Sequence, residues 1–287
     1  MITIHKALQE ASKKLEHKAG TPLLDAQVIL CHVLRVDRLY LIVNKERVLT
    51  NEEICKYNGM IEKRLYGVPV QYIIGRQEFM GLDFYVEEGV LIPRPDTEIL
   101  IEKVLDSIDK ESICSIVDIG TGSGAITITL AKYIRNSHVY SIDISKKALD
   151  IARRNAEEHD MLPKISFLNG SLFDPLSNMG IEGRIDVLVS NPPYIPTDDI
   201  ENLQIEVSKF EPRIALDGGK DGLDFYKEII NRAPKYLRQG GFMALEVGHD
   251  QARRVMELME EKNRYIDIEI TKDLAGIERV VSGKIKF

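Results

Sequence analysis

Asp118-Ile119-Gly120-Thr121-Gly122-Ser123-Gly124-Ala125 is the stretch on which the fold of this chain turns. It closes an apolar, β-branched run at residues 115–119 and opens a helical pattern at 126–133. The glycines therefore occupy a strand-to-helix turn, where a ligand can approach bare backbone. Their spacing is Gly-x-Gly-x-Gly, and a dinucleotide fingerprint would place its third glycine at Ala125, where alanine is also accepted. The glycines alone thus leave the ligand open. A second strand ends in Asp143, about 20–25 residues further on, where an acid can accept both hydroxyls of an adenosine ribose. An adenosine-containing ligand is expected.

Working outward, strands are predicted at 115–119, 138–143, 164–168, 185–190, 242–247, 265–271 and 279–285, alternating with helical patterns. That alternation implies parallel βαβ units with right-handed crossovers. The last two strands are joined by residues 272–277, too few for a helix, so they should run antiparallel. The expected fold is α/β: a Rossmann-like domain with a seven-stranded mixed sheet and helices on both faces. Before it, Ile4, Leu8, Ala11 and Leu15 follow a helical spacing that recurs at 23–34 and 54–65. Thr21-Pro22 and Thr50-Asn51-Glu52-Glu53 read as helix starts. This predicts a small all-α domain whose charges, Lys13, Lys14, Arg64 and Arg76, are solvated. Residues 70–75 and 78–86, both β-branched and aromatic with glycine between them, predict a hairpin linking the two. The division expected is 1–75 helical, 76–95 hairpin linker and 96–287 Rossmann-like.

The 287 residues, 44% hydrophobic and 29% charged, suffice for one large and one small domain. No apolar run approaches the roughly 18 residues that span a bilayer, and residues 1–7 lack a signal-peptide core, so a cytoplasmic protein without membrane partners is expected. The three cysteines are far apart and read as small buried hydrophobes. The six histidines form no metal-binding pattern, and no metal is expected. A net charge of −7 disfavours nucleic acid as the main partner.

Ser190-Asn191-Pro192-Pro193-Tyr194 ends the fourth strand. Two prolines stiffen the exit and supply no N–H, leaving carbonyls free to accept. The Asn191 side-chain oxygen and the Pro192 carbonyl can converge on one NH2 group, with the Tyr194 ring over it. Read alone, this is a strand stop with a core tyrosine; beside the glycine turn, it is a clamp for a planar nitrogen. Such an edge has no use in hydride transfer, and an acid at Asp118 would pair with the ammonium of a methionine rather than with pyrophosphate. S-adenosylmethionine is the expected cofactor. Residues 91–98 read either as a rigid loop whose Asp96 or Thr97 caps the helix that follows, or as a loop in which Pro93 and Pro95 hold Arg94 and Thr97 against a ligand.

Taken together, residues 69–75, 91–98 (Leu-Ile-Pro-Arg-Pro-Asp-Thr-Glu), 118–124, 190–195 and Glu211-Pro212-Arg213 resemble the release factor glutamine methyltransferases, the HemK or PrmC family. The resemblance runs along most of the chain. It implies a helical N-terminal domain that recognises peptide chain release factors, and a methyltransferase domain acting on the glutamine of their Gly-Gly-Gln loop. Carried onto this sequence, it implies catalysis at Asn191, Pro192 and Tyr194, with Pro193 among the substrate contacts. The cofactor contacts implied are Arg94, Thr97, Asp118, Gly120, Thr121, Gly122, Gly124, Asp143, Ser171, Leu172 and Asn191. Two positions depart from the pattern: Met80 stands where the family often has Trp, and Ser171 where it often has an acid for adenine. Leu172 and Phe173 then offer the base apolar surface. Two competing functions share parts of these motifs. An adenine N6-methyltransferase would use the same clamp on a flipped base but would need a positive surface. A non-catalytic adenosine-ligand binding module would keep the fold without chemistry.

Overall fold

The computed structural model describes residues 1–286, and they divide into two compact units: residues 1–76 with 204–210, and residues 77–203 with 211–286. In the first unit, α1 (Ile4–Leu15), α2 (Pro22–Leu34), α3 (Arg38–Val43), α4 (Asn51–Leu65) and α5 (Val70–Ile74) bury one apolar cluster centred on Ile4, Leu15, Ile29, Leu30, Tyr57 and Ile61. The helix starts follow the expected chemistry. Pro22 is the first residue of α2, and Thr50 and Glu53 form a reciprocal capping box on α4.

Three expectations fail. Residues 70–74 form α5 and not a strand: Pro69 fixes the entry and Gly75, at φ 73°, ends the turn in a left-handed conformation that suits glycine. Packing thus overrides the β propensity of Val70, Ile73 and Ile74. Arg64 is buried, not solvated. Its Nε donates to Asp25 at 2.7 Å and an Nη donates at 2.6 Å to Glu206, in the short helix α9 (Ile205–Ser208) that belongs to this unit. The cysteines differ too, since only Cys114 is buried and Cys55 is exposed.

The hairpin consists of β1 (Arg76–Phe79) and β2 (Leu82–Tyr85), turning at Met80-Gly81, and lies later than the sequence suggested. Asn155, fully buried, holds it to the body: its amide pairs with both backbone groups of Tyr85 and donates to Ser123 O at 2.8 Å. The sheet is β3 (Ile113–Ile119), β4 (Asn136–Asp143), β5 (Ile165–Asn169), β6 (Ile185–Ser190), β7 (Leu237–Glu246), β8 (Tyr265–Lys272) and β9 (Glu278–Ile285). Their order across it is β5-β4-β3-β6-β7-β9-β8. The first five are parallel, while β9 runs antiparallel to β7 and to β8. All seven predicted strands are present. β7 starts earlier than expected because its register with β6 shifts between Ile185 and Val187, accommodating Gln239-Gly240-Gly241 in the strand. Helices α6 (Asp96–Ser107), α7 (Ala125–Tyr133), α8 (Lys146–Glu158), α10 (Asp224–Tyr236) and α11 (Ala252–Glu261) complete the unit. The sheet separates two apolar clusters, one containing α10 and α11 residues and the other α6 and α7 residues, as layers on both faces require. The order reverses between β3 and β6, which places a crevice beyond their carboxyl ends.

Candidate active site

A cavity of about 210 Å³ opens at that reversal, at the ends of β3, β4 and β6. The glycine turn forms one wall. Gly120, Gly122 and Gly124 all have positive φ (81°, 57° and 86°), which explains their residue type. The turn hangs from β4: Gly120 N–H and Thr121 N–H donate to Ile142 O, and Gly122 N–H donates to Asp143 Oδ2 at 2.9 Å. A Cβ at Gly124 would come within 2.9 Å of Ile128 and 3.1 Å of Ala152, whereas one at Gly122 would meet nothing within 4 Å. Gly124 therefore serves close packing, and Gly122 leaves its backbone open on the cavity side.

Asp143 is the acid of the cavity wall. Its Oδ2 accepts from Gly122 and its Oδ1 from Ser145 N–H at 2.8 Å, and Ile144 N–H also hydrogen-bonds the carboxyl, which leaves acceptor capacity for a hydroxyl. Burial pushes its carboxyl above the ordinary range, against the lowering effect of these N–H groups. A vicinal diol is a fitting partner for such a bifurcated acceptor. The other linings are largely apolar, with Ile119, Ile142, Leu172 and Phe225 among them, which suits a flat base and a thioether-like chain. Leu172 carries φ of 49°, uncommon for a side chain with a Cβ, at the point where the backbone passes the cavity.

Of the residues predicted from sequence, Gly120, Gly122, Asp143, Ser171, Leu172, Asn191, Pro192 and Pro193 line the cavity. Arg94, Thr97, Asp118, Thr121, Gly124 and Tyr194 lie outside its lining, each for a physical reason. Asp118 points the opposite way from Ile119, as alternation in a strand requires. It is fully buried beneath the turn, where Thr127 and Thr121 donate to Oδ2 and Oδ1 has no partner. Desolvation pushes it up to about 7, against those hydrogen bonds. It supports the turn from below. Arg94 is turned to Glu211, which its guanidinium meets at 2.7 and 2.8 Å. The Arg94 and Glu211-Pro212-Arg213 segments are thereby joined, and Pro212, Ile214 and Ala215 reach the cavity. Thr97 neither caps α6, whose first turn follows Pro95 without a side-chain cap, nor touches the cavity; it receives Asn191 Nδ2 at 3.2 Å. Phe173 is core, stacked on Tyr236 at 5.1 Å, and leaves the apolar surface to Leu172.

The Asn-Pro-Pro-Tyr edge is held from behind. Ser190 Oγ donates to Ile119 O at 2.6 Å, tying β6 to β3 where the strand ends. Gln251 donates to Tyr194 O at 2.8 Å, and Ile195 pairs with Leu216 and Gly218 through backbone bonds. Tyr194 packs against the core, and burial pushes its phenol up to about 12. Gly218 lies so close that a Cβ there would fall 2.7 Å from Tyr194 Cα and 2.8 Å from Pro193 O. Residues that sequence reasoning missed are Glu246 at the end of β7, Gln251 and the 216–218 brace. All are assembled from distant parts of the chain, and none carries a local motif.

No helix among the described residues is long and apolar enough to cross a membrane, and no group of three or more His, Cys, Asp or Glu among them is placed to hold a metal ion. A mixed sheet of this order, with a glycine turn, a carboxylate and a proline-stiffened edge at its switch point, has the architecture of a Rossmann-like methyltransferase. The family described as a methyltransferase domain matches residues 110–284, and that described as the PrmC N-terminal domain matches residues 6–75. The release factor glutamine methyltransferase of Geobacter sulfurreducens is 42% identical over 284 residues, covering 99% of this chain and 97% of that protein. That of Bacillus cereus is 38% identical over 288 residues, covering 99% and 100%. A solved methyltransferase from Pyrococcus furiosus shares the fold at a TM-score of 0.53 and 20% identity, over 73% of this chain and 91% of its own. The chain belongs to the release factor glutamine methyltransferase family.

Proposed function

We propose that this protein transfers a methyl group from S-adenosylmethionine to the side-chain nitrogen of the glutamine in the Gly-Gly-Gln loop of bacterial peptide chain release factors. The observation that carries the reading is the position of Asn191 and Pro192 on the wall of a cavity that also holds Asp143 and the glycine turn, in a chain of this family. Asp143 would take the ribose hydroxyls, Gly120 and Gly122 would admit the cofactor's chain to the backbone, and Leu172 would face the base. The cofactor supplies a methyl group made electrophilic by its sulfonium. A carboxamide nitrogen is a poor nucleophile because its lone pair is delocalised, and it becomes positive as it gains a methyl group. Acceptors fixed around its N–H bonds orient it and stabilise that charge, so Asn191 Oδ1 and the Pro192 carbonyl are assigned this task. The surplus proton passes to water, and no histidine base is needed. The helical unit is assigned the docking of the folded release factor, since a Gly-Gly-Gln loop offers few contacts by which to select one glutamine.

Incubation with methyl-labelled S-adenosylmethionine and, separately, release factor, tRNA and DNA, followed by mass spectrometry, tests the reading. Label on the Gly-Gly-Gln glutamine is expected; label on adenine, or on nothing, overturns it. Asp143→Ala is expected to weaken cofactor affinity by about 10- to 100-fold, because a charged acceptor worth roughly 1.5–3 kcal/mol is lost. Unchanged affinity in calorimetry would place the ribose elsewhere. Gly218→Ala is expected to displace the Pro193–Tyr194 backbone and to lower turnover by about 10- to 100-fold, since displacements near 1 Å carry that cost. Cofactor affinity should change far less, and a Gly218→Ala protein with normal turnover would show that the edge has room to spare.

A further inference from the structure

Behind Asn191 lies a chain of polar groups that the reaction described above does not use. Asn191 Nδ2 can only donate, so Thr97 Oγ1 receives it at 3.2 Å and has its own proton to give. Thr97 and the Asn191 amide both hydrogen-bond Glu246, the last residue of β7. Glu246 is 2% exposed, lies outside the cavity lining, and has one carboxyl oxygen without a partner. A buried acid in a strand of a stable fold is costly unless something is made of it.

We propose that Glu246 is a positioning residue for the acceptor edge: directly and through Thr97, its carboxylate turns the Asn191 amide so that the NH2 is spent inside the protein and Oδ1 faces the cavity. The inference rests on the glutamine-methylation reading of the site. A carboxylate only accepts, so the order of donors is fixed from Asn191 to Thr97 to Glu246. A neutral acid can donate instead. Thr97 would then receive from Glu246 and give its proton to Asn191 Oδ1, which requires the amide to flip and to present N–H groups to an incoming N–H group. That arrangement repels the substrate amide, so the charge on Glu246 selects the productive face of Asn191.

The surroundings place this choice within reach of ordinary pH. Burial pushes the Glu246 carboxyl up to about 7, opposed by the hydrogen bonds from Thr97 and Asn191. Asp96 on α6 raises it further, and Arg279 on β9, itself 2.8 Å from Asp96, lowers it. Tyr194 beyond β6 and Tyr226 on α10 complete the shell; both are held neutral by burial and by this acid, and the Tyr226 hydroxyl donates to the Glu246 main-chain oxygen at 2.9 Å. The acid is charged above about 7 and neutral below it, so turnover should rise with pH through that region.

The test measures kcat, the KM for S-adenosylmethionine and the pH profile for methylation of intact release factor by the wild type, Glu246→Gln, Thr97→Val and Thr97→Ser. Glu246→Gln should lose the acid limb of the kcat profile near pH 7. Thr97→Val, which removes the hydroxyl that orders the donors, should lower kcat about tenfold or more. Thr97→Ser, which keeps the hydroxyl, should restore most of it, and the cofactor KM should stay within about twofold throughout because neither side chain reaches the cavity. The proposal is overturned if the limb persists in Glu246→Gln, or if Val and Ser at position 97 behave alike. Should Glu246→Gln fail to fold by circular dichroism, the Val and Ser pair decides. A wild type that labels no glutamine would instead overturn the functional reading, which separates the two failures.

Discussion

Asn191→Ala is expected to lower turnover by about 10²- to 10³-fold while S-adenosylmethionine affinity stays close to that of the wild type. The magnitude follows from the loss of one preorganised polar group aimed at developing charge, which costs about 10²–10³ in kcat elsewhere. Here the group is an acceptor, and its partner is the nitrogen that becomes cationic as it is methylated. The amide gains most from Asn191 when the charge is largest, so the deficit should fall on kcat and not on the KM for the release factor. The substitution also frees Thr97 Oγ1 of the N–H that it receives at 3.2 Å, but Thr97 keeps its bond to Glu246, so local unfolding is not expected. Single-turnover measurements with saturating cofactor and release factor would separate chemistry from product release. Turnover within threefold of wild type would remove Asn191 from the reaction and leave the Pro192 carbonyl as the sole candidate acceptor.

Much of the architecture was legible in the chain because it is written in local periodicities. Strands that are buried on both faces read as continuous apolar runs, and their alternation with helical segments leaves few topologies. The cavity was legible for a related reason: Gly120, Gly122, Asp143 and Asn191 all lie at carboxyl ends of strands, where chain position predicts spatial position. What escaped was set by distant residues. Val70–Ile74 has strand composition but becomes a helix turn between Pro69 and Gly75. Asp118 looked like a ligand contact, yet the pleat points it under the turn to Thr127. Arg94 and Thr97 read as cofactor contacts, but Glu211 and Asn191 are the partners that the assembled chain gives them. Glu246 sits in Ala-Leu-Glu-Val, a stretch with nothing to separate a buried acid from an edge charge. Its significance exists only once β6, β7 and α6 are assembled.

Arg64→Ala is expected to destabilise the helical unit by about 3 kcal/mol, the lower end of the range for breaking a buried ion pair, because Glu206 keeps some access to solvent. Arg64 is 5% exposed and holds two carboxylates, Asp25 on α2 and Glu206 on α9. Thr21 also donates to Asp25, at 2.7 Å, but a hydroxyl cannot neutralise the charge left behind. The arginine is the link by which residues 204–210 join helices that precede them by some 140 positions, as the separation of 142 between Arg64 and Glu206 shows. Ile205 and Phe210 pack beside Gly67 in the same unit, so loosening the ion pair should loosen that apolar contact too. Because a two-unit chain need not unfold in one step, hydrogen exchange is the appropriate measurement. Amides around Ile29, Leu30 and Ile61 should lose about two orders of magnitude of protection, while those of β3 and β6 should change little. Replacing Arg64, Asp25 and Glu206 together by Met, Leu and Gln should recover much of the loss, since the unpaired charges and not the missing bonds dominate the cost. If the single Arg64→Ala change leaves protection in the helical unit intact, the three side chains are an incidental pair of bridges, and the attachment of residues 204–210 rests on Ile205 and Phe210 alone.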